Sequence, residues 1–296
     1  MMKQRIGFIG VGLMGHGMAK NLVEKGFPLT VLGHKKRAPV EDLKKRGAKE
    51  AKSVKALVEA SDVVILCVTG TPQVEDMIYR ADGIRAAARK GLTVIDCSTS
   101  EPPSTAKIYA EMKKLGVTFV DAPLTRTPIE AEQGRLNTLV GAEAKVLKAI
   151  RPILEAFCEN IFHIGGPVSG HQIKLINNFF AIGQGVLISE MFSALGKVGI
   201  DPRKLVELVS KGAANSGLFQ LIAGGAAEGD YARMKFAIAN ASKDVTYYNR
   251  MLDSLGLMGP IAAALQQSLK HAVALGYGDK MVPSLVEAQR EINRLK

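Results

Sequence analysis

A lysine and two asparagines lie together in an otherwise apolar stretch, Gly165–Phe180, near the middle of the chain. Lys174 and Asn178 are spaced i, i+4, so on a helix both side chains project from one face and can reach one small ligand. A buried amine or amide must be hydrogen-bonded or take part in chemistry, and burial lowers a lysine pKa toward neutrality. The segment therefore predicts an acid–base site that also includes Asn177. A lysine that extends to the surface beside a structural amide would give the same pattern.

A glycine motif near the N-terminus predicts a nucleotide site. The apolar run Arg5–Ile9 is typical of a buried strand, and Gly10–Gly15 (GVGLMG) follows it as a complete G-x-G-x-x-G. A helical pattern over His16–Lys25 and a second strand at Pro28–Leu32 come next. In this context glycines let the backbone approach a pyrophosphate at the helix N-terminus, although a glycine-rich packing turn is the alternative. The predicted dinucleotide contacts are Gly10, Gly12, Leu13, Met14 and Gly15.

The end of the second strand indicates which dinucleotide binds. An NAD site usually has an acidic residue there, which hydrogen-bonds the ribose hydroxyls. This chain instead has Gly33 followed by four residues that can carry positive charge, with no carboxylate before Glu41. Cations at this point suit a 2′-phosphate, so we predict a preference for NADP(H), with NAD(H) possible. A solvated basic turn is the alternative. The predicted contacts are His34, Lys35, Lys36 and Arg37.

Composition and charge limit the class of protein. The chain has 296 residues, 47% of them hydrophobic, which is enough for two domains with sizeable cores. Its formal net charge is +11, but the 39 basic residues are spread along the sequence and tryptophan is absent. Because the basic residues are not concentrated in one segment, we predict no nucleic-acid partner. A basic surface can equally attract anionic cofactors and substrates.

Cysteine and histidine usage gives no sign of a metal site. The three cysteines are far apart, no C-x-x-C or clustered His/Cys spacing occurs, and we predict neither metal nor disulfides. The first strand begins almost at once, and no uninterrupted apolar run has the length of a membrane span. We therefore predict a cytoplasmic protein without a signal peptide and without membrane contact.

The pattern of elements changes along the chain. Up to about residue 165, short apolar strands alternate with helical segments, which is typical of a mainly parallel, doubly wound sheet. Beyond Gly170, long helical patterns punctuated by Gly, Pro and Asn take over. We predict an α/β Rossmann-type domain at 1–165 and an all-α domain at 166–296. Lys174 would then lie near the start of the helix that joins the domains, where a cleft is expected.

The predicted elements are as follows. The strands are Arg5–Ile9, Leu29–Leu32, Val63–Val68, Thr93–Asp96, Thr118–Asp121, Thr138–Gly141 and Ile161–His163. The helices of the second part are Gln172–Gly196, Pro202–Ser210, Ala237–Leu255, Pro260–Leu275 and Pro283–Leu295.

Over essentially its full length the chain resembles the β-hydroxyacid dehydrogenase family, which includes 3-hydroxyisobutyrate dehydrogenases and tartronate semialdehyde reductases. The resemblance rests on separated motifs in the family's order: Gly7–Gly15 with Met18-Ala19 and Asn21-Leu22, Asp121-Ala122-Pro123 through Gly134, Gly166–Asn178, and Lys243-Asp244.

The resemblance implies roles for several residues. Lys174 matches the family's catalytic lysine and Asn178 its partner asparagine. Lys243 matches a lysine that approaches the nicotinamide end of the cofactor. Val68 should lie beside the dinucleotide, and Ser98-Thr99 match a site near the nicotinamide ribose, as the open α/β rule expects of strand ends. Capping or turn formation is the alternative for Ser98 and Thr99, and an ordinary surface charge is the alternative for Lys243.

The substrate loop departs from the family pattern. The family continues Asp-Ala-Pro with a small Ser-Gly-Gly-type segment, whereas this chain has Leu124-Thr125-Arg126-Thr127. Arg126 replaces a glycine and could grip a carboxylate, sulfonate or phosphate. An arginine–threonine pair here is similar to the sulfolactaldehyde reductase branch. Alternatively, Arg126 points away and pairs with Glu130 or Glu132. The predicted substrate contacts are Ser98, Pro123, Leu124, Thr125, Arg126 and Asn177.

The predicted function is therefore an NADP-dependent oxidoreductase that interconverts a small anionic aldehyde and its hydroxyacid, with Lys174 as general acid and base. The hydrophobic C-terminal helices predict a homodimer or homotetramer. Two alternatives stay open: an imine reductase, whose relatives usually lack the catalytic lysine, and a catalytically inactive nucleotide sensor of the same fold.

Overall fold

A computed structural model of the chain describes residues 3–295. These residues divide into two compact units, the first ending at Lys174 and the second beginning at Leu175. The division predicted at residues 165/166 lies upstream of that point and stays a proposal.

The first unit contains a sheet with helices between its strands. The strands are β1 Ile6–Ile9, β2 Leu29–Leu32, β3 Lys49–Ala51, β4 Val63–Leu66, β5 Thr93–Asp96, β6 Thr118–Asp121, β7 Leu124–Thr125, β8 Leu136–Gly141 and β9 Cys158–Gly165. The helices are α1 Gly15–Glu24, α2 Ala38–Lys45, α3 Val54–Glu59, α4 Thr71–Tyr79, α5 Pro102–Lys114, α6 Pro128–Glu132 and α7 Ala144–Leu154.

The sheet has the strand order of a Rossmann fold. Strands run β3-β2-β1-β4-β5-β6 with every neighbouring pair parallel, and β8 follows antiparallel to β6. Strand β8 also pairs antiparallel with β7 and parallel with β9. This confirms the predicted doubly wound α/β class.

Successive side chains of the central strands point to opposite faces of the sheet, and both faces are buried. In β4, Val63 and Ile65 belong to one buried cluster, while Val64 and Leu66 belong to another on the opposite face. All four side chains are fully buried. A parallel strand between two helical layers must be apolar on both sides, which is why these strands read as continuous hydrophobic runs.

Within its described residues the second unit contains helices, the turns between them and one isolated β-bridge, Ala237 with Met281, which confirms the predicted helical character. Its helices are α8 Ser169–Val198, which begins in the first unit, then α9 Pro202–Ser210, α10 Gly217–Phe219, α11 Gly225–Ala227, α12 Ile238–Ser254, α13 Pro260–Ala272 and α14 Leu285–Ile292. Its core is formed by apolar side chains from these helices and from the turns between them, including Ile182, Ile222, Val245, Leu269 and Val282.

Two strands were missed and two predicted helices need correction. Strands β3 and β7 were not predicted, because both are short and lack an apolar alternation. The helix predicted at Pro260–Leu275 gives way after Ala272 to a π-helical turn, within which Gly276 has a φ of 88°. The helix predicted at Pro283–Leu295 covers only Leu285–Ile292, because Val282–Ser284 forms a 3₁₀ turn before it.

Helix α8 is long and apolar enough, by length and composition alone, to cross a membrane, contrary to the expectation that no segment would be. The mostly buried core helix of a soluble protein has the same length and composition, so these two properties alone do not indicate a membrane span. No other helix within residues 3–295 meets both criteria.

Candidate active site

Backbone contacts shape the glycine loop between β1 and α1. Gly10 has a φ of 103°, and a Cβ there would lie 2.2 Å from the carbonyl oxygen of Cys67. A Cβ on Gly15 would lie 2.0 Å from the carbonyl oxygen of Gly10, whereas a Cβ on Gly12 would meet no atom within 4 Å. The first and third glycines are therefore required for packing. The second leaves bare backbone that a pyrophosphate could approach.

The N-terminus of α1 suits an anion. Its N-cap residue, Met14, makes no side-chain cap hydrogen bond, and the first turn contains no acidic residue. The neighbouring Leu13 is exposed. Uncapped N–H groups and the positive end of the helix dipole both favour a phosphate at this position. The residues present therefore fit a dinucleotide.

His16 ties α1 to its neighbours. Its Nδ1 lies 2.7 Å from Glu132 Oε1 on α6, and its Nε2 lies 2.9 Å from Asp42 Oδ2 on α2. Hydrogen bonds from Arg46 and His16 lower the pKa of Asp42. The sequence pattern gave no signal for this bridge between the glycine loop and the substrate loop.

The basic turn after β2 is partly neutralised. Arg37 Nη1 lies 2.6 Å from Glu50 Oε1, and Arg37 Nη2 lies 2.9 Å from Glu50 Oε2 and 2.8 Å from Glu41 Oε1. Parallel pairing of β2 with β3 brings Glu50 opposite Val31. Sequence reasoning missed Glu50 because it lies on an unpredicted strand. His34, Lys35 and Lys36 are exposed and make no hydrogen bond or ion pair with another described residue.

The ends of β4 and β5 are joined by Ser98. Its buried hydroxyl accepts a hydrogen bond from the Val68 N–H at 3.0 Å, and its own N–H donates to Asp96 Oδ1 at 2.9 Å. Ser100 Oγ donates to Asp96 Oδ2 at 3.1 Å. The structure thus brings Val68, Ser98 and the partly exposed Thr99 to the carboxyl edge of the sheet. The Ser98 hydroxyl bonds the neighbouring strand end, not the helix cap or turn named as its alternative, and its role toward substrate stays a prediction.

Arg126 lies in the substrate loop in a conformation that favours glycine. Its φ is 78°, the region expected for the glycine that the family pattern has at this point. Its guanidinium donates to the Arg135 carbonyl oxygen and pairs with Glu159 on β9. The alternative partners predicted from sequence, Glu130 and Glu132, are wrong. Glu159 is distant in sequence, so only the pairing of β9 with β8 reveals it.

The rest of the loop is held by a cap and by strand pairing. Thr127 and Glu130 form a capping box at the start of α6, and the hydrogen bond from the Thr127 hydroxyl lowers the Glu130 pKa. Leu124 and Thr125 form β7, opposite Thr138 and Asn137 of β8. Pro123 and Leu124 are buried, while Thr125 is partly exposed. Of the loop residues predicted to contact substrate, Thr125 and Arg126 thus have side chains that a solute can reach.

Asp121 anchors the first turn of α8, one turn before Lys174. The Asp121 carboxylate accepts hydrogen bonds from the Val168 N–H at 2.7 Å and from the His171 N–H at 2.9 Å. These are N–H groups that a helix start leaves without intrahelical partners. Asp121 is 1% exposed, and burial raises the pKa of its carboxyl. A Cβ on Gly170 would lie 2.4 Å from the Leu139 carbonyl oxygen, so this turn packs directly on the sheet.

In the second unit, Asp244 connects Asn178 with Lys243. Asn178 Nδ2 donates to Asp244 Oδ2 at 2.6 Å, and Lys243 Nζ lies 2.7 Å from Asp244 Oδ1. Asp244 is 3% exposed, so its carboxylate holds both groups from within the core. Asn177 is exposed, and its Nδ2 lies 3.3 Å from Asn178 Oδ1. Sequence reasoning quoted Asp244 with Lys243 but gave it no role.

The structure therefore brings the predicted residues together in two groups. The first unit gathers the glycine loop, Val68, Thr99 and the first turn of α8 at the carboxyl edge of one sheet. The second unit links Asn178 to Lys243 through Asp244. Within residues 3–295 no group of three or more His, Cys, Asp or Glu side chains could hold a metal ion. The three cysteines are free, and burial raises the pKa of Cys67 to about 12.

Two protein-family models match consecutive parts of the chain. A family model described as the NAD binding domain of 6-phosphogluconate dehydrogenase matches residues 5–165. A second, described as the NAD-binding domain of NADP-dependent 3-hydroxyisobutyrate dehydrogenase, matches residues 168–288. The 2-hydroxy-3-oxopropionate reductase of Escherichia coli is 30% identical over 287 residues, with 96% of each chain covered.

Solved structures share the fold. A Mycobacterium tuberculosis 3-hydroxyisobutyrate dehydrogenase with L-serine has a TM-score of 0.87 at 23% identity, covering 98% of this chain and all of that one. Psf3 in complex with NADP⁺ and 2-OPP has a TM-score of 0.82 at 23% identity, covering 95% of this chain and 99% of that one. Together with the family models and the glycine loop, these findings show that the chain belongs to the β-hydroxyacid dehydrogenase family and is an NAD(P)-dependent hydroxyacid dehydrogenase.

Proposed function

We propose that this enzyme interconverts a small anionic aldehyde and the corresponding hydroxyacid, with NADP(H) as the preferred cofactor and Lys174 as the general acid and base. One observation carries the proposal. Asp121 fixes the first turn of α8, one turn before Lys174, to the carboxyl edge of the sheet, the edge at which the glycine loop also lies. Ligands of open α/β sheets bind along that edge, so a proton donor there can act on a substrate beside the dinucleotide.

Lys174 would transfer the proton. A bound nicotinamide supplies the hydride in the reductive direction. As negative charge grows on the carbonyl oxygen of the substrate, Lys174 donates a proton to it. Asn178 lies one turn later on α8, and Asp244 fixes the orientation of its amide. Asn178 would orient the lysine or the carbonyl oxygen, and Lys243 would approach the cofactor.

Thr125 and Arg126 would bind the far anionic group of the substrate. Both are accessible, and a guanidinium can hold a carboxylate or sulfonate with two hydrogen bonds. Arg126 already pairs with Glu159, so binding would require it to share or exchange that partner. The exposed Asn177 would contact the same substrate from α8, and Ser98 and Thr99 would orient it near the nicotinamide ribose.

The preference for NADP(H) is supported by His34, Lys35 and Lys36, which remain exposed beyond β2. Arg37 contributes less than the sequence predicts, because Glu41 and Glu50 neutralise it. Psf3, which shares the fold, is described with NADP⁺. We propose that NADPH binds more tightly than NADH and that NADH is still accepted.

The assembly would be a homodimer or homotetramer, without a nucleic-acid or membrane partner and in the cytoplasm. Support for self-association comes from the large apolar side chains that α8 leaves exposed, including Phe180 at 69% and Leu187 at 60%. Light scattering of the purified protein would show a monomer if the proposed self-association were wrong.

The first experiment measures initial rates with NADPH and NADH against glyoxylate, succinic semialdehyde, tartronate semialdehyde, methylmalonate semialdehyde and sulfolactaldehyde. Turnover with one of them, faster with NADPH, supports the proposal and identifies the substrate. Lys174→Ala should lower kcat by about three or more orders of magnitude while NADPH still binds. Lys148→Ala, which removes an exposed lysine from α7, is the control. Near-normal turnover of the Lys174 variant would exclude the assigned role.

A further inference from the structure

A buried histidine lies one turn before Lys174 and is outside the chemistry described above. His171 has 0% of its surface exposed, and both of its ring nitrogens are occupied. Nε2 lies 3.1 Å from the Ser98 carbonyl oxygen, and Nδ1 lies 2.8 Å from Thr105 Oγ1. All of these residues belong to the first unit.

The Ser98 carbonyl oxygen defines the hydrogen-bonding role of one ring nitrogen, Nε2. A carbonyl oxygen only accepts, so Nε2 must be the donor toward Ser98. Nδ1 can then accept a hydrogen bond from the Thr105 hydroxyl. That hydroxyl can instead donate to the Glu101 carbonyl oxygen, which lies 3.2 Å away. The charged groups that face His171 are Asp96, whose Oδ2 lies 3.8 Å from Nε2, and Asp121, which accepts its backbone N–H.

These contacts connect the catalytic turn with the cofactor edge of the sheet. His171 and Lys174 are spaced i, i+3 on α8 and therefore share one side of the helix. At the other end of the contact, Ser98 accepts the Val68 N–H and so joins the ends of β4 and β5. The side chain of His171 thus adds a contact with the end of β5 to the two hydrogen bonds by which Asp121 holds the first turn of α8.

We propose that His171 is a positioning residue: its Nε2–H···Ser98 carbonyl bond sets the direction from which Lys174 meets the substrate oxygen. The inference rests on the proposed function, because it assigns the geometry of the same site. A proton donor displaced by about 1 Å loses on the order of 100-fold in rate, while cofactor binding at the glycine loop does not depend on that angle.

Three substitutions separate the two ring contacts. His171→Gln places an amide nitrogen where Nε2 lies and keeps a donor for the Ser98 carbonyl. His171→Asn keeps a partner only for Thr105, and His171→Leu keeps neither. The control is His163→Gln, because His163 Nε2 lies 2.8 Å from the Ala142 carbonyl oxygen, a similar bond on β9. Each variant is assayed for kcat, for KM toward NADPH, for the isotope effect with deuterated NADPH and for Tm.

We expect His171→Gln to keep kcat within about fivefold of the wild type, and His171→Asn and His171→Leu to lose about 30- to 100-fold. The KM for NADPH should change by less than about threefold, and the isotope effect should rise as the chemical step slows. If His171 had only a structural role, its substitution would lower Tm without a loss of kcat at nearly constant KM for NADPH. Wild-type kcat in His171→Leu, or an equal loss in the Gln and Leu variants, would overturn the proposal.

Thr105→Val keeps the test decisive if His171→Leu does not fold. It removes the hydroxyl that restrains Nδ1 and leaves the imidazole in place, so we expect a several-fold lower kcat with unchanged KM for NADPH. Unchanged kcat would overturn the inference. If Lys174→Ala is inactive while the His171 and Thr105 variants are normal, only this inference fails. If the wild type shows no turnover with any aldehyde, both the proposed function and this inference fail.

Discussion

The glycine loop and the substrate loop owe their shapes to different kinds of contact. In the glycine loop, Gly10 and Gly15 are needed because neighbouring backbone leaves no room for a side chain. In the substrate loop, Arg126 adopts a φ of 78° in spite of its side chain and is held there by Glu159 and the Arg135 carbonyl oxygen. The first shape depends on local backbone and the second on partners far along the chain. The first is therefore readable from a motif, and the second is not.

The largest expected effect tests the backbone-determined loop. Gly15→Ala would put a Cβ 2.0 Å from the Gly10 carbonyl oxygen, and we expect it to destabilise the protein by about 2–3 kcal/mol or to prevent folding. Gly12→Ala, the matched control, meets open space and should change stability by less than about 0.5 kcal/mol. It should still weaken NADPH binding at least about tenfold, because the methyl group occupies the approach of the pyrophosphate. Urea unfolding and cofactor titration measure the two effects, and equal stability of both variants would remove the distinction.

The next effect tests the partner-determined loop. Arg126→Ala should raise KM for an anionic aldehyde about 10- to 100-fold, the loss of a charge-assisted hydrogen bond, with a smaller change in kcat. Glu159→Gln leaves Arg126 in place and removes its ionic partner, so KM should fall or stay unchanged. Steady-state kinetics on both variants measure this. An unchanged KM in Arg126→Ala would assign Arg126 to loop structure alone.

A smaller effect concerns pH and the capping box of the same loop. The Thr127 hydrogen bond lowers the Glu130 pKa below its ordinary value of 4.5. A depressed folded-state pKa means that the stabilisation is fully present above the unfolded value and is lost as pH falls through the folded value. Glu130→Gln should therefore cost about 1 kcal/mol at pH 7 and progressively less in acid. Urea unfolding at several pH values checks this, and a difference that grows in acid would contradict it.

The smallest expected effect concerns the basic turn after β2 and the choice between NADPH and NADH. Glu50→Gln removes the carboxylate that binds Arg37 through both nitrogens, so Arg37 becomes freer to meet a 2′-phosphate. We expect the ratio of kcat/KM for NADPH over NADH to rise by about two- to fivefold, since exposed ion pairs are weak. Glu59→Gln, which alters an exposed carboxylate on α3, is the control. A ratio that stays constant would show that Arg37 does not contribute to cofactor choice.

How far the sequence predicted this protein depends on the range of each interaction. Strands such as Leu29–Leu32 and Thr118–Asp121 were predicted with their observed bounds, because their apolar character is local and continuous. Strand β3 was missed, since Lys49, Glu50 and Ala51 form a strand only by pairing with β2 at the edge of the sheet. The helix predicted from Pro260 overran its end because nothing in its pattern marks the π-helical turn after Ala272.

The candidate site divides in the same way. The roles proposed for Lys174, Asn178 and the glycines come from spacing and motif, which are properties of the chain itself. The contacts of His171, Asp244 and Glu159 are invisible in sequence, because each partner comes from a different element. A buried polar side chain must find a partner, but its type does not reveal which one.

By itself, then, the sequence determined the doubly wound class of the first unit and the position of the glycine motif, and it led to the proposal of Lys174 as the proton donor. Periodicity and glycine spacing encode the first two within short segments. Only the tertiary structure decided that Arg37 is neutralised by Glu50, that Arg126 pairs with Glu159, and that Asp121 and His171 fix the turn before Lys174. Such pairings arise when strands and helices distant in sequence pack together and buried charges and N–H groups must be satisfied.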